Sequence, residues 1–159
     1  MGVAASALMV GTSMAADLVV DAAVEEIAMA TDWDGLYVGV QAGYDFDGYV
    51  DVQGVAGVNF TVSDGFLLGV EAAIGPYFDV GGGGGNGYEG YLAGRAGFVV
   101  DSALLYVLAG ADIVDGNVSW VAGAGAEFMV ADSTSMRLQV LNYDNDFYQA
   151  NVGLMWHFN

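Results

Sequence analysis

The chain has 159 residues, room for one domain, and 55% of them are apolar while only 14% are charged, against roughly 25% charged in an ordinary soluble chain. The formal net charge of -18 comes from 20 acids against two arginines and no lysine, which excludes the clustered basic surface that nucleic acid requires. There is no cysteine, so disulfide frameworks and thiolate chemistry are excluded, and one proline among 25 glycines excludes collagen-like and proline-rich disordered classes.

From Gly2 to Met14 runs a short Ala-rich apolar stretch, followed by Ser13-Met14-Ala15 and then Ala16-Asp17. It is too short to cross a bilayer as a helix. With small residues at the cleavage positions it reads as the apolar region of a secretory signal over residues 1–16, cut after Ala15 or Ala16. Residues 17–32 are acidic and mixed, with Asp17, Asp21, Glu25, Glu26 and Asp32, and read as a leader outside the folded domain. The folded domain is expected to occupy residues 33–159.

Alternating segments then follow at Leu36–Tyr44, Val55–Val62, Phe66–Ile74, Tyr91–Phe98, Leu104–Ala111, Trp120–Met129, Met136–Leu141 and Tyr148–Phe158, eight in all. Most are near the ~9–11 residues that a tilted strand needs to cross a membrane. Ser63-Asp64-Gly65, Val99–Ser102 and Val130–Thr134 read as tight turns, since Asp, Gly and Ser supply turn conformations. Asp45–Gln53, Tyr77–Tyr88, Asp112–Asn117 and Asn142–Phe147 read as longer or more polar loops. No helical period of 3.6 competes after Trp33.

The faces of these strands carry the main signal. Leu68, Val70, Ala72 and Ile74 alternate with Leu67, Gly69, Glu71 and Ala73; Leu92, Gly94, Ala96 and Phe98 alternate with Tyr91, Ala93, Arg95 and Gly97. The four charges within these segments, Glu71, Arg95, Glu127 and Arg137, all fall on the parity rich in small and polar residues. A soluble sheet places its apolar face inside and its charges in water. Here the charges share a face with Gly and Ala, as in a crowded lumen, and the large apolar side chains face out, which only lipid rewards. The expected fold is all-β, an eight-stranded antiparallel up-and-down transmembrane β-barrel. Val70, Leu92, Ala124, Leu138 and Leu154 are expected to face the membrane. Trp33, Tyr37, Tyr44, Phe60, Phe98, Trp120, Phe128, Trp156 and Phe158 are expected to form aromatic girdles at its two surfaces.

These residues carry a resemblance. Trp33-Asp34-Gly35-Leu36-Tyr37-Val38-Gly39 resembles the opening W-x-G-x-Y-x-G of small Gram-negative outer-membrane barrels, the OmpA/OmpX-like barrel domains. Gly69-Val70-Glu71, Gly94-Arg95-Ala96-Gly97-Phe98 and Gly123-Ala124-Gly125-Ala126-Glu127 are similar to that family's internal strands. Val152-Gly153-Leu154-Met155-Trp156-His157-Phe158 is similar to its closing strand, with Asn159 following the usual terminal Phe. The resemblance covers Trp33 to Phe158. It implies residence in the cell outer membrane, contact with outer-membrane lipid and lipopolysaccharide, and insertion by the outer-membrane assembly machinery, which would read Trp156 and Phe158 as its signal. It also implies that the acidic leader is periplasmic and that the barrel is a monomer.

Within a barrel of this size side chains fill the lumen, so Glu71 and Glu127 are expected to pair with Arg95 and Arg137. The pairs form either a structural plug or a gate. Gly85-Asn86-Gly87-Tyr88-Glu89-Gly90 satisfies G-x-G-x-x-G, but a strand follows where a phosphate site needs a helix, so a flexible loop is expected. Asp45, Asp47 and Asp51 near Gly48 match no EF-hand spacing, and no metal site or cofactor is expected. His157 is the only histidine and lies at the turn end, which disfavours a Ser-His hydrolase, so no enzyme activity is expected. The expected role is structural or at the surface. The rivals are a minor diffusion channel for small solutes and a soluble secreted lipid-binding barrel, the latter requiring an apolar lumen.

Overall fold

A computed structural model describes residues 32–144 and 147–158; residues 1–31, which hold the expected signal and nearly all of the leader, lie outside the described residues. Eight strands follow in order: β1 (Gly35–Asp45), β2 (Tyr49–Ser63), β3 (Phe66–Asp79), β4 (Gly87–Val100), β5 (Ala103–Val114), β6 (Asn117–Ala131), β7 (Thr134–Tyr143) and β8 (Phe147–Phe158). Each pairs antiparallel with its sequence neighbour, and β1 pairs with β8 through Leu36↔Phe158 to Asp45↔Gln149, closing the barrel. All eight expected segments lie within these strands, so the fold is the transmembrane β-barrel that the parity pattern requires.

The strands run further toward the loops than the alternation alone suggested. β2 starts at Tyr49, so Asp51 is a strand residue paired with Gly43 instead of part of a long loop. The β5–β6 connection shrinks to Asp115 and Gly116, whose φ values of 47° and 86° make the left-handed pair of a two-residue hairpin turn. The polar side chains that mimic a loop in the sequence are here the ends of strands, facing inward.

Val70, Leu92, Ala124, Leu138 and Leu154 all lie on the outer face and are exposed. Two aromatic bands flank this apolar belt. Phe60, Phe98, Phe128, Trp156 and Phe158 lie toward the turns, and Tyr44, Phe78, Tyr88, Trp120 and Tyr148 toward the loops. Trp33 and Tyr37 do not join them. Both are buried inside the barrel, because Tyr37 sits on the inward parity of β1 and Trp33 folds over the barrel end against His157, ring centroids 5.2 Å apart.

An arginine placed at Leu154 meets hydrocarbon, and at mid-membrane this costs roughly 2–4 kcal/mol. Leu154→Arg should therefore lower the urea-unfolding free energy in lipid bilayers by that amount. Unchanged stability would mean that the outer face is not lipid-facing.

Candidate functional site

The lumen is a stack of layers. At the turn end Trp33, Leu67 and Leu104 are buried with His157, and Asn59 Nδ2 donates to the Trp33 carbonyl at 3.0 Å. This end is shut by packed side chains.

Above it lies the charged layer. Glu71 from β3, Arg95 from β4, Glu127 from β6 and Arg137 from β7 converge with their side chains fully out of solvent. Arg95 bridges Glu71 at 3.1 Å and Glu127 at 3.0 Å, while Arg137 bridges the same two carboxylates at 2.6 and 2.7 Å. Each charge thus has two opposite neighbours, and the layer is neutral. Burying one ion costs several kcal/mol, so the arrangement depends on completeness. Tyr37 OH and Tyr91 OH donate to Glu71, and Ser135 Oγ donates to Glu127 at 3.0 Å. The Arg95 guanidinium lies 4.1 Å from the centroid of the Tyr106 ring, a cation–π contact. The large rings fit because small residues face them: a Cβ on Gly57 would strike the Tyr37 ring, and one on Gly125 the Tyr106 ring.

Ser135, His157 and Glu127 meet in this layer and invite comparison with a nucleophilic triad. Ser135 Oγ is 2.9 Å from His157 Nε2, and Glu127 Oε2 is 3.7 Å from that same nitrogen. A triad needs the acid on the second ring nitrogen and a nucleophile that substrate can reach. Both partners here share one nitrogen, and Ser135 is fully buried.

The next layer is made of amides. Gln41 Nε2 donates to Gln53 Oε1 at 2.8 Å, Gln53 Nε2 to Glu89 Oε1 at 3.0 Å, and Tyr106 OH to Gln139 Oε1 at 2.7 Å. Toward the loops the barrel opens into a cavity of about 410 Å³ lined by Asp51, Glu89, Asp112, Tyr143 and Gln149, with Tyr49 and Tyr77 nearer the rim. Sequence reasoning missed this group. Its signal was present: Asp51, Glu89 and Asp112 continue the inward parity of Gln53, Tyr91 and Gly110.

The loop aspartates stabilise their own backbone. Asp45 Oδ1 accepts from Asp47 N and Tyr49 N, both at 2.9 Å, so it caps the β1–β2 loop. Among the described residues no three His, Cys, Asp or Glu side chains are placed to hold a metal ion. The glycine run Gly81–Gly85, which leads into the G-x-G-x-x-G, closes on Asp79, whose carboxylate accepts from Gly84 N and from Gly82 N, the latter at 2.8 Å. These amides, Gly84 first and then Gly82, hold the Asp79 carboxyl below the usual carboxylate range. The run is an ordered wrap around an internal anion instead of a free loop.

Among solved structures the chain is similar to a designed transmembrane β-barrel, with 24% identity, a TM-score of 0.55, and 79% of this chain and 96% of that one covered. It is similar to the N-terminal barrel domain of Pseudomonas aeruginosa OprF, with 14% identity, a TM-score of 0.59, and 79% and 98% covered. It is also similar to Yersinia pestis Ail, the attachment invasion locus protein, in complex with the heparin analogue sucrose octasulfate, with 15% identity, a TM-score of 0.53, and 79% and 97% covered. No family model matches the sequence. No curated protein matches it. The chain has the fold of the small eight-stranded membrane barrels, the architecture that OprF and Ail share.

Arg137 makes four hydrogen bonds to the two glutamates, whereas Arg95 makes one to each and leaves its Nε unpartnered. Arg137→Met should cost about 3–5 kcal/mol in bilayer unfolding experiments and exceed Arg95→Met. The reverse order would contradict the geometry. At the loop end, Asp79→Ala should abolish hydrogen-exchange protection of the Gly82 and Gly84 amides in NMR spectra. Because the Asp79 pKa is depressed, wild-type protection should persist above the ordinary carboxylate range and vanish as pH falls through the lowered value.

Proposed function

We propose that the protein is an integral outer-membrane barrel with a structural or surface role and a lumen closed by its own side chains. The observation that carries this reading is the neutral four-charge layer, fully removed from solvent across the bore. A soluble lipid carrier would need an apolar interior, and this interior holds two carboxylates and two guanidiniums. A conducting pore would need those pairs to part together. In this reading the tight turns and the Trp33 seal face the periplasm, the loops face outward, and Trp156 and Phe158 are offered to the assembly machinery.

The surface role is not that of a receptor for polyanions. Both arginines of the chain are consumed in the lumen, and there is no lysine to meet a sulfated sugar such as the sucrose octasulfate of the Ail complex. The acidic loop end repels such a ligand.

The test combines cell fractionation, gel mobility with and without boiling, and planar-bilayer recording of the full chain. The expected result is recovery in the outer-membrane fraction, a shift in mobility on boiling, and no regular conductance steps. Recovery as a detergent-free soluble protein would overturn the membrane assignment, and discrete conductance steps would replace the closed barrel with a channel.

A further inference from the structure

The cavity at the loop end has a chemistry that the closed barrel does not require. Asp51 and Asp112 line it and are only 1% and 2% exposed, yet Asp51 Oδ2 and Asp112 Oδ1 have no hydrogen-bond donor among the described residues. Their other oxygens are engaged, Asp51 Oδ1 by Gln149 Nε2 at 2.9 Å and Asp112 Oδ2 by Ser119 Oγ at 3.4 Å. Glu89 adds a third carboxylate, held by Gln53 and Gln149. A buried acceptor left without a donor is unfavourable, more so when the acceptor is charged. Two such oxygens in one cavity are a strong demand for a donor, and for a positive one.

Among the described residues no side chain supplies it. The chain has no lysine, and both arginines are fixed in the layer below. A bare metal ion is a poor match, since no three carboxylates or imidazoles converge among the described residues. The walls instead include Tyr49, Tyr77, Tyr143 and Phe147, whose ring faces attract organic cations. The volume of about 410 Å³ lies within the roughly 300–1,000 Å³ of small-molecule sites. We propose that this vestibule binds a small soluble organic amine in its protonated form, with ammonium N–H groups donating to Asp51 Oδ2 and Asp112 Oδ1 and the carbon chain against the tyrosines. A primary ammonium brings three donors and a full charge, the kind of partner an unpaired carboxylate oxygen takes, and a diamine carries two such groups. The inference rests on the cavity alone and holds whichever membrane the barrel occupies.

The experiment is calorimetric titration of the full chain in phosphatidylcholine nanodiscs, which carry no lipid primary amines, with 1,4-diaminobutane. Sodium chloride at matched ionic strength and magnesium chloride serve as comparisons. Saturable binding of the diamine is expected, weakened at least tenfold in the Asp51→Asn, Asp112→Asn double variant and unchanged in Asp64→Asn at the turn end. Glu89→Gln, at the more open side of the cavity, is expected to weaken binding as well and serves if the double variant does not fold. Heat-modifiable mobility reports folding of every variant. A titration indistinguishable from sodium chloride, equal affinity in the folded Asp51, Asp112 and Glu89 variants, or tighter binding of magnesium than of the diamine would each overturn the proposal.

Discussion

Everything in this barrel is arranged around the requirement that two buried arginines and two buried glutamates neutralise one another. None of the four lies on the same strand, so the layer exists only when β3, β4, β6 and β7 have their native registers. A slip of one residue in any of them would send a charge into lipid and leave its partners unpaired in the lumen. The layer therefore specifies register at least as much as it stabilises. Its tyrosines and Ser135 complete the carboxylate coordination, and glycines at the facing positions leave room for the rings.

The two halves of the lumen differ in kind. Below the charged layer, Trp33, Leu67 and Leu104 pack as an apolar seal. Above it, amides give way to carboxylates and then to an open mouth. Because the arginines lie at the centre and nowhere else, the negative charge of the loop end meets no compensating residue. The turn end is acidic as well, through Asp64, Asp101 and Asp132, so negative charge lies at both ends of the barrel and the arginines neutralise only the layer between them.

The barrel itself was legible in the sequence because lipid inverts the usual rule for strand faces. Glu71, Arg95, Glu127 and Arg137 betrayed the inner face, and the period of two did the rest. What the period could not show was where strands end. Asp51, Glu89 and Asp112 are turn-type or charged residues, so local composition read them as loop when their parity already marked them as lumen. Trp33 and Tyr37 were misplaced for a related reason: an aromatic near a strand end can serve a girdle or a plug, and the choice depends on partners from distant strands. Tyr37 is drawn in by Glu71 and Trp33 by Asn59 and His157, none of them its sequence neighbour. The order imposed on the glycine run by Asp79 was equally hidden, since backbone amides leave no trace in composition.

The turn-end seal also has a bearing on how the molecule comes to be closed. Trp33 precedes the first strand, yet it packs on His157 in the last, and the ladder joining β1 to β8 pairs residues from opposite ends of the domain. Such contacts have the greatest possible sequence separation, so their loop-closure entropy must be met before they return anything. Hairpins can form in any order, but neither the seam nor its tryptophan latch exists until the final strand arrives. Closure is then a late, concerted event, and a chain halted short of β8 would hold an unpaired edge on β1 with its latch unfastened.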